Sequence, residues 1–196
     1  LVVPGESIIC PYTPALAFAT EAVRNGVALF VNSAVTSATA RDGYHHLLLG
    51  TQSEGRELRC KWVINAAGLY SDEIDRMFGH ARFSVTPRRG ELIVFDKLSR
   101  SLIHHILLPV PSKVTKGVLV SPTVFGNVLL GPTAEDLKDK RDTSTSAAGL
   151  HALLEKGRAI MPRLLDEEIT ATYAGLRAAT ETSDYQVHLD ASERYV

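Results

Sequence analysis

Arginine side chains are the strongest candidates for chemistry in this sequence of 196 residues. Arg177 ends an apolar-rich segment that begins at Tyr173, and a guanidinium in such surroundings needs an anion or acceptors to offset its desolvation. A substrate carboxylate or phosphate would meet that need through two parallel hydrogen bonds, and a structural salt bridge is the alternative. Arg88 and Arg89 are neighbours on a predicted strand, so at most one of them faces a substrate cavity, and we expect Arg89 to bind substrate.

Histidines occur as two adjacent pairs, His45 with His46 and His104 with His105. Neighbours on a strand point to opposite faces, so neither pair can bind one metal ion, and we expect no metal site. A single histidine could still take the hydroxyl proton of a 2-hydroxy substrate, because its unperturbed pKa suits that work. The residue types assign no catalytic base.

The element that must position such side chains is the stretch from Lys61 to Met77. Its apolar residues at 62, 63, 64 and 66 predict a buried strand of a parallel sheet. Small residues follow, so a ligand or another backbone can approach closely, and Ser71 is expected to cap a helix with acids at 72 and 73 in its first turn. Open α/β sheets bind ligands where a strand leads through small residues into a helix, so this stretch is a candidate ligand site. The alternative interpretation of the same residues is a tightly packed turn that binds no ligand.

The residues before this stretch predict a helix, a strand and a hairpin. Thr13 can cap a helix with Pro14 at its first position, and Asn25-Gly26 ends that helix. Val27 to Val31 is then expected to be a short buried strand. The runs 44–51 and 57–62 predict a hairpin around Ser53-Glu54-Gly55.

After Gly79 the sequence becomes rich in predicted strands with short turns between them. Phe125-Gly126-Asn127 predicts the tightest hairpin turn, and Ser144 or Thr145 can cap a helix that ends before Pro162. This pattern predicts an antiparallel sheet with the helix packed on it, in a second domain inserted into the first. The predicted strands are Phe83 to Phe95, His104 to Pro109, Gly117 to Pro122 and Asn127 to Gly131.

The predicted fold class is α/β plus α+β. Residues 13–79 form part of a βα-layered domain, and residues 1–12 and 80–196 form the mainly antiparallel domain. Leu1 begins inside an apolar run and Val196 ends inside a predicted strand, so we expect a central piece truncated at both ends.

Composition excludes several classes of protein. The net charge of −1 argues against a nucleic-acid partner held by a positive field. No apolar run reaches bilayer length and no signal peptide opens the chain. Cys10 and Cys60 have no metal-ligand spacing, so we expect reduced thiols in a cytoplasmic protein, and a disulfide between them is the alternative. Peripheral association with a membrane is left open.

Four segments, in this order along the chain, resemble FAD-dependent oxidoreductases of the D-amino-acid oxidase superfamily, in particular glycerol-3-phosphate dehydrogenases. They are VINAAGLYSDEI at 63–74, TPRRGELIVFDK at 86–97, KGVLVSPTVFGNVLLGPTAED at 116–136 and YAGLRAATE at 173–181. The resemblance implies that the first domain binds the flavin dinucleotide and that the inserted antiparallel domain binds substrate.

The resemblance also assigns residues to the cofactor and the substrate. Ala66, Ala67 and Gly68 would lie beside the dinucleotide, and the backbone of Val35 would meet the adenine, although a core role for this valine is the alternative. Arg177 matches the arginine that holds the anionic end of the substrate. The family's glycine-rich fingerprint is absent, so we expect FAD in the full-length enzyme and no tightly held FAD in this piece.

The implied reaction is oxidation of a small anionic hydroxy compound, sn-glycerol 3-phosphate to dihydroxyacetone phosphate, with electrons passed to a quinone or oxygen. Leu92 stands where glycerol-3-phosphate dehydrogenases place a histidine, and the sequence Arg-Gly-Glu at 89–91 resembles L-2-hydroxyglutarate oxidases more closely. One alternative is therefore an L-2-hydroxyglutarate or amino-acid oxidase of the same superfamily. A second alternative is a flavin-free binding module.

Overall fold

The computed structural model describes residues 2–5, 7–50, 55–110, 117–182 and 184–196. The chain forms two compact units, one of Leu1–Val27 with Arg88–Leu176 and the other of Ala28–Pro87 with Arg177–Val196. These bounds differ from those predicted, because residues 13–27 join the unit of residues 88–176 and residues 177–196 join the unit of residues 28–87.

A five-stranded sheet among the described residues lies mainly in the first unit, and its strands are β4 (Thr86–Phe95), β5 (Leu119–Pro122), β6 (Val128–Gly131), β7 (Glu135–Asp136) and β8 (Ile169–Ala179). Residues 86–87 of β4 and 177–179 of β8 fall within the bounds of the second unit. The strand order is β5-β6-β4-β7, β8 also pairs with β4, and the pairs β4–β6, β5–β6 and β4–β7 are antiparallel, which confirms the predicted antiparallel sheet. The predicted strand from His104 to Pro109 was wrong, because only Leu107 pairs there, in an isolated bridge to Val120.

Helix α3 (Ala147–Ile160) packs on this sheet, as predicted. Its cap is Ser146, one residue beyond the predicted pair, and the Ser146 hydroxyl accepts a hydrogen bond from the Gly149 N–H at 3.0 Å. A Cβ atom at Gly157 would lie 2.7 Å from a methyl of Leu130, so the small residue lets helix and sheet approach closely. The buried core comprises Ile93, Phe95, Ile103, Val118, Val120, Val128, Leu130, Leu153 and Leu164.

The turn between β5 and β6 has the predicted position. The Thr123 N–H donates to the Asn127 carbonyl at 2.8 Å, and the Thr123 hydroxyl accepts from the backbone N–H of Phe125 and of Asn127. Gly126 adopts φ +94°, a conformation that favours glycine.

The first unit also contains α1 (Tyr12–Arg24). The predicted helix is confirmed and ends at Asn25-Gly26, with Gly26 at φ +90°. The predicted cap was wrong, because the helix begins one residue before Thr13, and Pro11 stands at the cap position. None of its side chains is buried by the described residues.

The second unit contains a three-stranded antiparallel sheet in the order β1-β2-β3 within the described residues. Its strands are β1 (Val35–Arg41), β2 (Tyr44–Leu49) and β3 (Arg56–Cys60). The β2–β3 pair confirms the predicted hairpin, and residues 53 and 54 of the predicted turn lie outside the described residues. The β1–β2 and β2–β3 connections are antiparallel, so this sheet lacks the parallel crossover expected of a βα-layered domain, while helix α2 (Ser71–Met77) contacts β1.

The predicted buried strand Val27 to Val31 was wrong. These residues are not in a strand, and Val27, Leu29, Phe30 and Val31 are all exposed. Apolar composition supplies a strand propensity, but a strand forms only where a neighbour accepts its backbone hydrogen bonds.

The α-helices of the described residues are α1, α2 (Ser71–Met77) and α3, and each is too short to cross a bilayer.

Candidate functional site

The segment from Trp62 to Asn65 is extended and pairs in parallel with the last residues of the sequence. The Val63 N–H donates to the Arg194 carbonyl at 3.1 Å, and the Asn65 N–H donates to the Val196 carbonyl at 2.8 Å. Its predicted full burial was wrong, since Trp62 and Ile64 are exposed while Val63 and Asn65 are half-buried. Burial on alternate residues shows that only one face of the segment packs against the unit.

The Asn65 side chain fixes the turn that follows. Its Nδ2 donates to the Ser71 carbonyl at 2.8 Å and to the Tyr195 hydroxyl at 2.8 Å. Its Oδ1 accepts the Ala67 N–H at 3.3 Å. One side chain therefore joins the start of the turn, its end and the carboxyl-terminal segment.

The turn residues Ala66, Ala67 and Gly68 are exposed. Gly68 adopts φ +58°, and a Cβ placed there would meet no described atom within 4 Å, so the surface is open beside it. The Ala67 carbonyl accepts the Tyr70 N–H at 3.1 Å, which closes a single 3-10 turn at Gly68–Tyr70.

Helix α2 follows the turn with acids at 72 and 73 in its first turn, as predicted. The predicted capping by Ser71 was wrong. Ser71 is the first helical residue, and its hydroxyl donates to the Gly68 carbonyl at 2.8 Å instead of accepting from the helix. The preceding 3-10 turn moves the cap position to Tyr70, which makes no side-chain capping bond.

Tyr195 lies beneath this turn and is 1% exposed. Its ring stacks on Phe78 with centroids 4.5 Å apart, and its hydroxyl donates to Asp75 Oδ1 at 3.3 Å. Burial raises the pKa of Tyr195, and the hydrogen bond from Asn65 opposes that rise. Asp75 is also buried, and its Oδ2 accepts the Arg82 N–H at 3.2 Å.

Val35 is the first residue of β1 and lies opposite Leu49. It is half-buried, and the register of the pair shifts between Val35 and Ser37. Its backbone therefore stands where the strand pairing is irregular.

Arg88 and Arg89 lie side by side on β4, opposite Asp136 and Glu135 of β7. Arg88 is partly exposed and binds Asp136 through two hydrogen bonds of 2.6 and 3.0 Å. The Arg89 side chain is only 7% exposed, and its Nη2 donates to Glu135 at 2.6 Å. The hydrogen bond to Glu135 is the main cause of a raised pKa for Arg89.

The second terminal nitrogen of Arg89 holds the segment before α3. Nη1 donates to the Ser144 carbonyl at 3.0 Å and lies 3.6 Å from Asp142 Oδ2. Hydrogen bonds from Ser144 lower the pKa of Asp142, which keeps the partner ionised. Both ends of the Arg89 fork therefore contact acceptors of its own chain.

Glu91 is fully buried two residues further along β4. Its Oε1 accepts the Ser146 N–H at the start of α3, and its Oε2 accepts the Thr133 hydroxyl at 3.3 Å. The Glu91 N–H in turn donates to the Thr133 hydroxyl at 2.9 Å. The positive end of the α3 dipole and these donors stabilise a charge that is away from water.

Arg177 lies on β8 and is exposed. The premise that its guanidinium is desolvated was therefore wrong, because the strand leaves this side chain accessible. Arg177 and Arg89 belong to different units of the chain.

The histidine pairs behave differently from one another. His45 and His46 lie on opposite faces of β2, where His45 Nε2 donates to the Glu193 carbonyl at 2.8 Å and His46 Nδ1 contacts the Glu57 carboxylate. His104 and His105 are exposed in a bend. Across the described residues, no three His, Cys, Asp or Glu side chains are grouped as metal ligands, and both cysteines are free thiols.

Sequence reasoning did not select Asn65, Tyr195 or Glu91. Asn65 had a usable signal, because an asparagine ahead of small residues can bond the backbone two residues on. Tyr195 had none, since it meets Asn65 across 130 residues of sequence. Glu91 entered the sequence analysis only as part of the Arg-Gly-Glu sequence, and its residue type and position do not indicate that its carboxylate is buried.

The sequence model of the FAD dependent oxidoreductase family (DAO) matches residues 1–195. The chain belongs to this family. Over 178 residues it is 37% identical to the glycerol 3-phosphate dehydrogenase of Caloramator mitchellensis, covering 91% of this chain and 36% of that protein. Over 146 residues it is 30% identical to the mitochondrial L-2-hydroxyglutarate dehydrogenase of Bos taurus, covering 65% of this chain and 32% of that protein.

A solved structure of the same family is similar in fold. It is the dithionite-reduced L-alpha-glycerophosphate oxidase of Mycoplasma pneumoniae with FAD bound, at a TM-score of 0.76 and 28% identity. The similarity covers 86% of this chain and 44% of that chain. The chain thus spans less than half the length of each of these relatives.

Proposed function

We propose that the protein containing this chain is an FAD-dependent enzyme that oxidises sn-glycerol 3-phosphate to dihydroxyacetone phosphate. The observation that carries this proposal is the 37% identity to a glycerol 3-phosphate dehydrogenase over 91% of the chain. Its electron acceptor would be a quinone or oxygen. In this proposal, the unit of residues 28–87 and 177–196 contributes to the cofactor site, and the five-stranded sheet belongs to an inserted substrate domain.

The residues of the turn fit a flavin dinucleotide. Ala66, Ala67 and Gly68 are exposed and small, and open space lies beside Gly68, so a flat ligand could come into van der Waals contact with them. The proposed second contact is the backbone of Val35 with the adenine. FAD, when bound, supplies the acceptor for the hydride of the substrate.

Arg177 is the proposed anchor for the anionic end of the substrate. Arg177 is exposed on strand β8, and the planar fork of its guanidinium matches two oxygens of a phosphate or carboxylate. Such an anchor would orient the substrate, and correct orientation of the reactants contributes to the rate enhancement of an enzyme.

Arg89 is a weaker candidate for the same task. Its two terminal nitrogens already contact Glu135, Ser144 and Asp142, and a substrate anion would have to compete with these acceptors. We therefore propose Arg89 as an ion-pair residue that holds the segment before α3.

L-2-hydroxyglutarate is the second candidate substrate, because two observations favour it. Leu92 lies on β4 where a histidine would be expected for a glycerol-3-phosphate dehydrogenase, and the bovine L-2-hydroxyglutarate dehydrogenase is 30% identical over 146 residues. Both candidate substrates are small, anionic hydroxy compounds, so the same arginine could hold either.

Anaerobic reduction of the natural full-length protein tests the proposal. Flavin absorbance should be present and should bleach on addition of sn-glycerol 3-phosphate, and bleach far more slowly with L-2-hydroxyglutarate. The reverse order would assign the second substrate. A full-length protein without flavin absorbance, even after incubation with FAD, would favour a flavin-free binding module.

A further inference from the structure

The hydrogen bonds of Asn65 have a fixed direction. The Ser71 carbonyl can only accept and the Ala67 N–H can only donate, so the Asn65 amide must turn its Nδ2 toward Ser71 and its Oδ1 toward Ala67. Nδ2 also reaches the Tyr195 hydroxyl at 2.8 Å, and this hydroxyl must therefore accept. The orientation of the amide is thus determined by its partners.

The proton of the Tyr195 hydroxyl is directed to a carboxylate. The hydroxyl donates to Asp75 Oδ1 at 3.3 Å, and Asp75 Oδ2 accepts the backbone N–H of Arg82. Tyr195 and Asp75 are 1% and 2% exposed, so water does not replace these bonds. The chain Asn65 to Tyr195 to Asp75 runs in one direction, and each bond strengthens the next.

Both the ring and the backbone of Tyr195 are held in place. The ring stacks on Phe78, and the backbone N–H and carbonyl of Tyr195 form hydrogen bonds of 3.1 and 2.8 Å with the backbone of Asp190. The hydroxyl oxygen therefore stands at a fixed point beneath the turn, and Asn65 is ordered against it.

We propose that Tyr195 is a positioning residue for the flavin dinucleotide, acting through Asn65 on the turn of Ala66, Ala67 and Gly68. This inference rests on the proposed function, because it assumes that FAD lies against this turn. Tyr195 does not touch the cofactor. It keeps the Asn65 amide in the orientation that holds the Ala67 N–H, and so keeps the turn in one conformation before the ligand arrives.

The test measures FAD affinity of the natural full-length protein after the flavin has been removed, by titration with FAD and flavin fluorescence. Tyr195→Phe keeps the stacked ring and removes only the oxygen, and it should weaken FAD binding about threefold to tenfold. Asn65→Ala should weaken it at least as much. In the Asn65→Ala background, Tyr195→Phe should have no further effect, because the group through which it acts is gone.

His80→Gln is the structural control. It removes the imidazole whose Nε2 lies 2.9 Å from a Glu193 carboxylate oxygen and whose ring lies beside that of Tyr195, and it leaves Asn65 unchanged. The substitution should therefore lower the melting temperature and leave FAD affinity within about twofold. If Tyr195→Phe leaves FAD affinity unchanged, or if its effect adds fully to that of Asn65→Ala, the positioning role is overturned while the proposed function stands. If the unaltered protein does not bind FAD, both are overturned.

Discussion

The buried carboxylate of Glu91 occupies the space that a side chain at Gly149 would need. A Cβ atom on Gly149 would overlap Oε2 of Glu91, while the backbone N–H of Ser146 donates to the other carboxylate oxygen. The third residue of helix α3 and the middle of strand β4 are therefore joined through one charged group, which the sheet and the helix bury together.

Gly149→Ala should destabilise the protein although alanine is normally preferred in a helix. The added methyl must displace the Glu91 carboxylate from its donors, and overpacking of this kind should lower the free energy of unfolding by about 2 to 3 kcal/mol. Urea denaturation measures the change. Gly175→Ala is the matched control, because a Cβ there meets no described atom within 4 Å, and it should leave stability unchanged or slightly raised.

Glu91→Gln should also lower the free energy of unfolding, by about 1 to 3 kcal/mol. The neutral amide of glutamine loses the electrostatic attraction of the α3 N-terminus. Its NH2 group would also face the Ser146 N–H or the Thr133 hydroxyl, which are themselves hydrogen-bond donors to the carboxylate. The comparison is Glu155→Gln, which removes an exposed contact to Arg158 on the same helix and should cost no more than about 0.5 kcal/mol. Equal effects of the two substitutions would contradict a special role for the buried carboxylate.

Arg89→Lys should lower the melting temperature and leave the Michaelis constant nearly unchanged. Lysine keeps the charge but cannot reach Glu135 and Ser144 together, because it lacks the planar fork. Thermal melting and steady-state kinetics of the full-length enzyme separate the two effects. A raised Michaelis constant at an unchanged melting temperature would instead indicate that Arg89 binds substrate.

Arg177→Ala and Arg177→Lys should both raise the Michaelis constant for the anionic substrate, by about ten- to a hundredfold for alanine. Lysine should not restore the wild-type value, because a point charge does not reproduce a two-point contact. Flavin content and melting temperature should stay nearly the same. Arg158→Ala, which removes another exposed arginine, controls for loss of positive charge.

The outcome against this assignment is an Arg177→Ala protein that unfolds or loses activity without a selective change in the Michaelis constant. Arg177 would then be a structural residue of β8.

Tyr195 should make stability depend on pH in the alkaline range. Because burial raises its pKa, the folded protein holds this proton more tightly than the unfolded chain does. The stability that it contributes is fully present below about pH 10 and is lost as the pH rises through the folded-state pKa. Tyr195→Phe should melt below wild type near neutral pH, because it loses the hydrogen bonds of the hydroxyl, and the gap should narrow as the pH rises above about 10.

Melting curves of both proteins across this pH range test the prediction. Tyr185→Phe serves as the control, since Tyr185 is 99% exposed. This substitution should leave the dependence of melting temperature on alkaline pH the same as in wild type. A gap between Tyr195→Phe and wild type that stays constant with pH would contradict the prediction, because it would show that the pKa of Tyr195 is the same in the folded and the unfolded protein.

Local patterns in the sequence were enough to predict the β2–β3 hairpin, the turn at Gly126, helix α3 and the antiparallel sheet. The hairpin, the turn and the helix depend on neighbours within a few residues, on turn chemistry or on helical periodicity. The antiparallel sheet was predicted only as a class, from successive strands with short turns, because the partners of β4 lie far away in sequence. The failures at Val27 to Val31 and at Trp62 and Ile64 have another cause, because the burial of a strand is decided by which distant segment pairs with it. Propensity does not contain that information.

The residues of the candidate site also fall into those that the sequence could predict and those that it could not. The small residues of the turn and the arginines could be selected from residue type alone. The contact of Asn65 with Tyr195 could not, because it spans 130 residues. The accessibility of Arg177 was also missed, since an apolar neighbourhood in sequence does not fix which face of β8 is covered.

The turn of Ala66, Ala67 and Gly68 has a consequence for the kind of contact it can offer. The Ala67 N–H, the Ala67 carbonyl and the Gly68 carbonyl all bond within the chain, so the methyl and methylene groups of the turn make up a part of the surface that it presents outward. Attraction to such a surface comes from dispersion and loss of hydrating water, which dissolved ions do not screen. Its share of any ligand's affinity would therefore be nearly the same in dilute buffer and in concentrated salt, whereas a contact made by Arg177 would weaken as ionic strength rises.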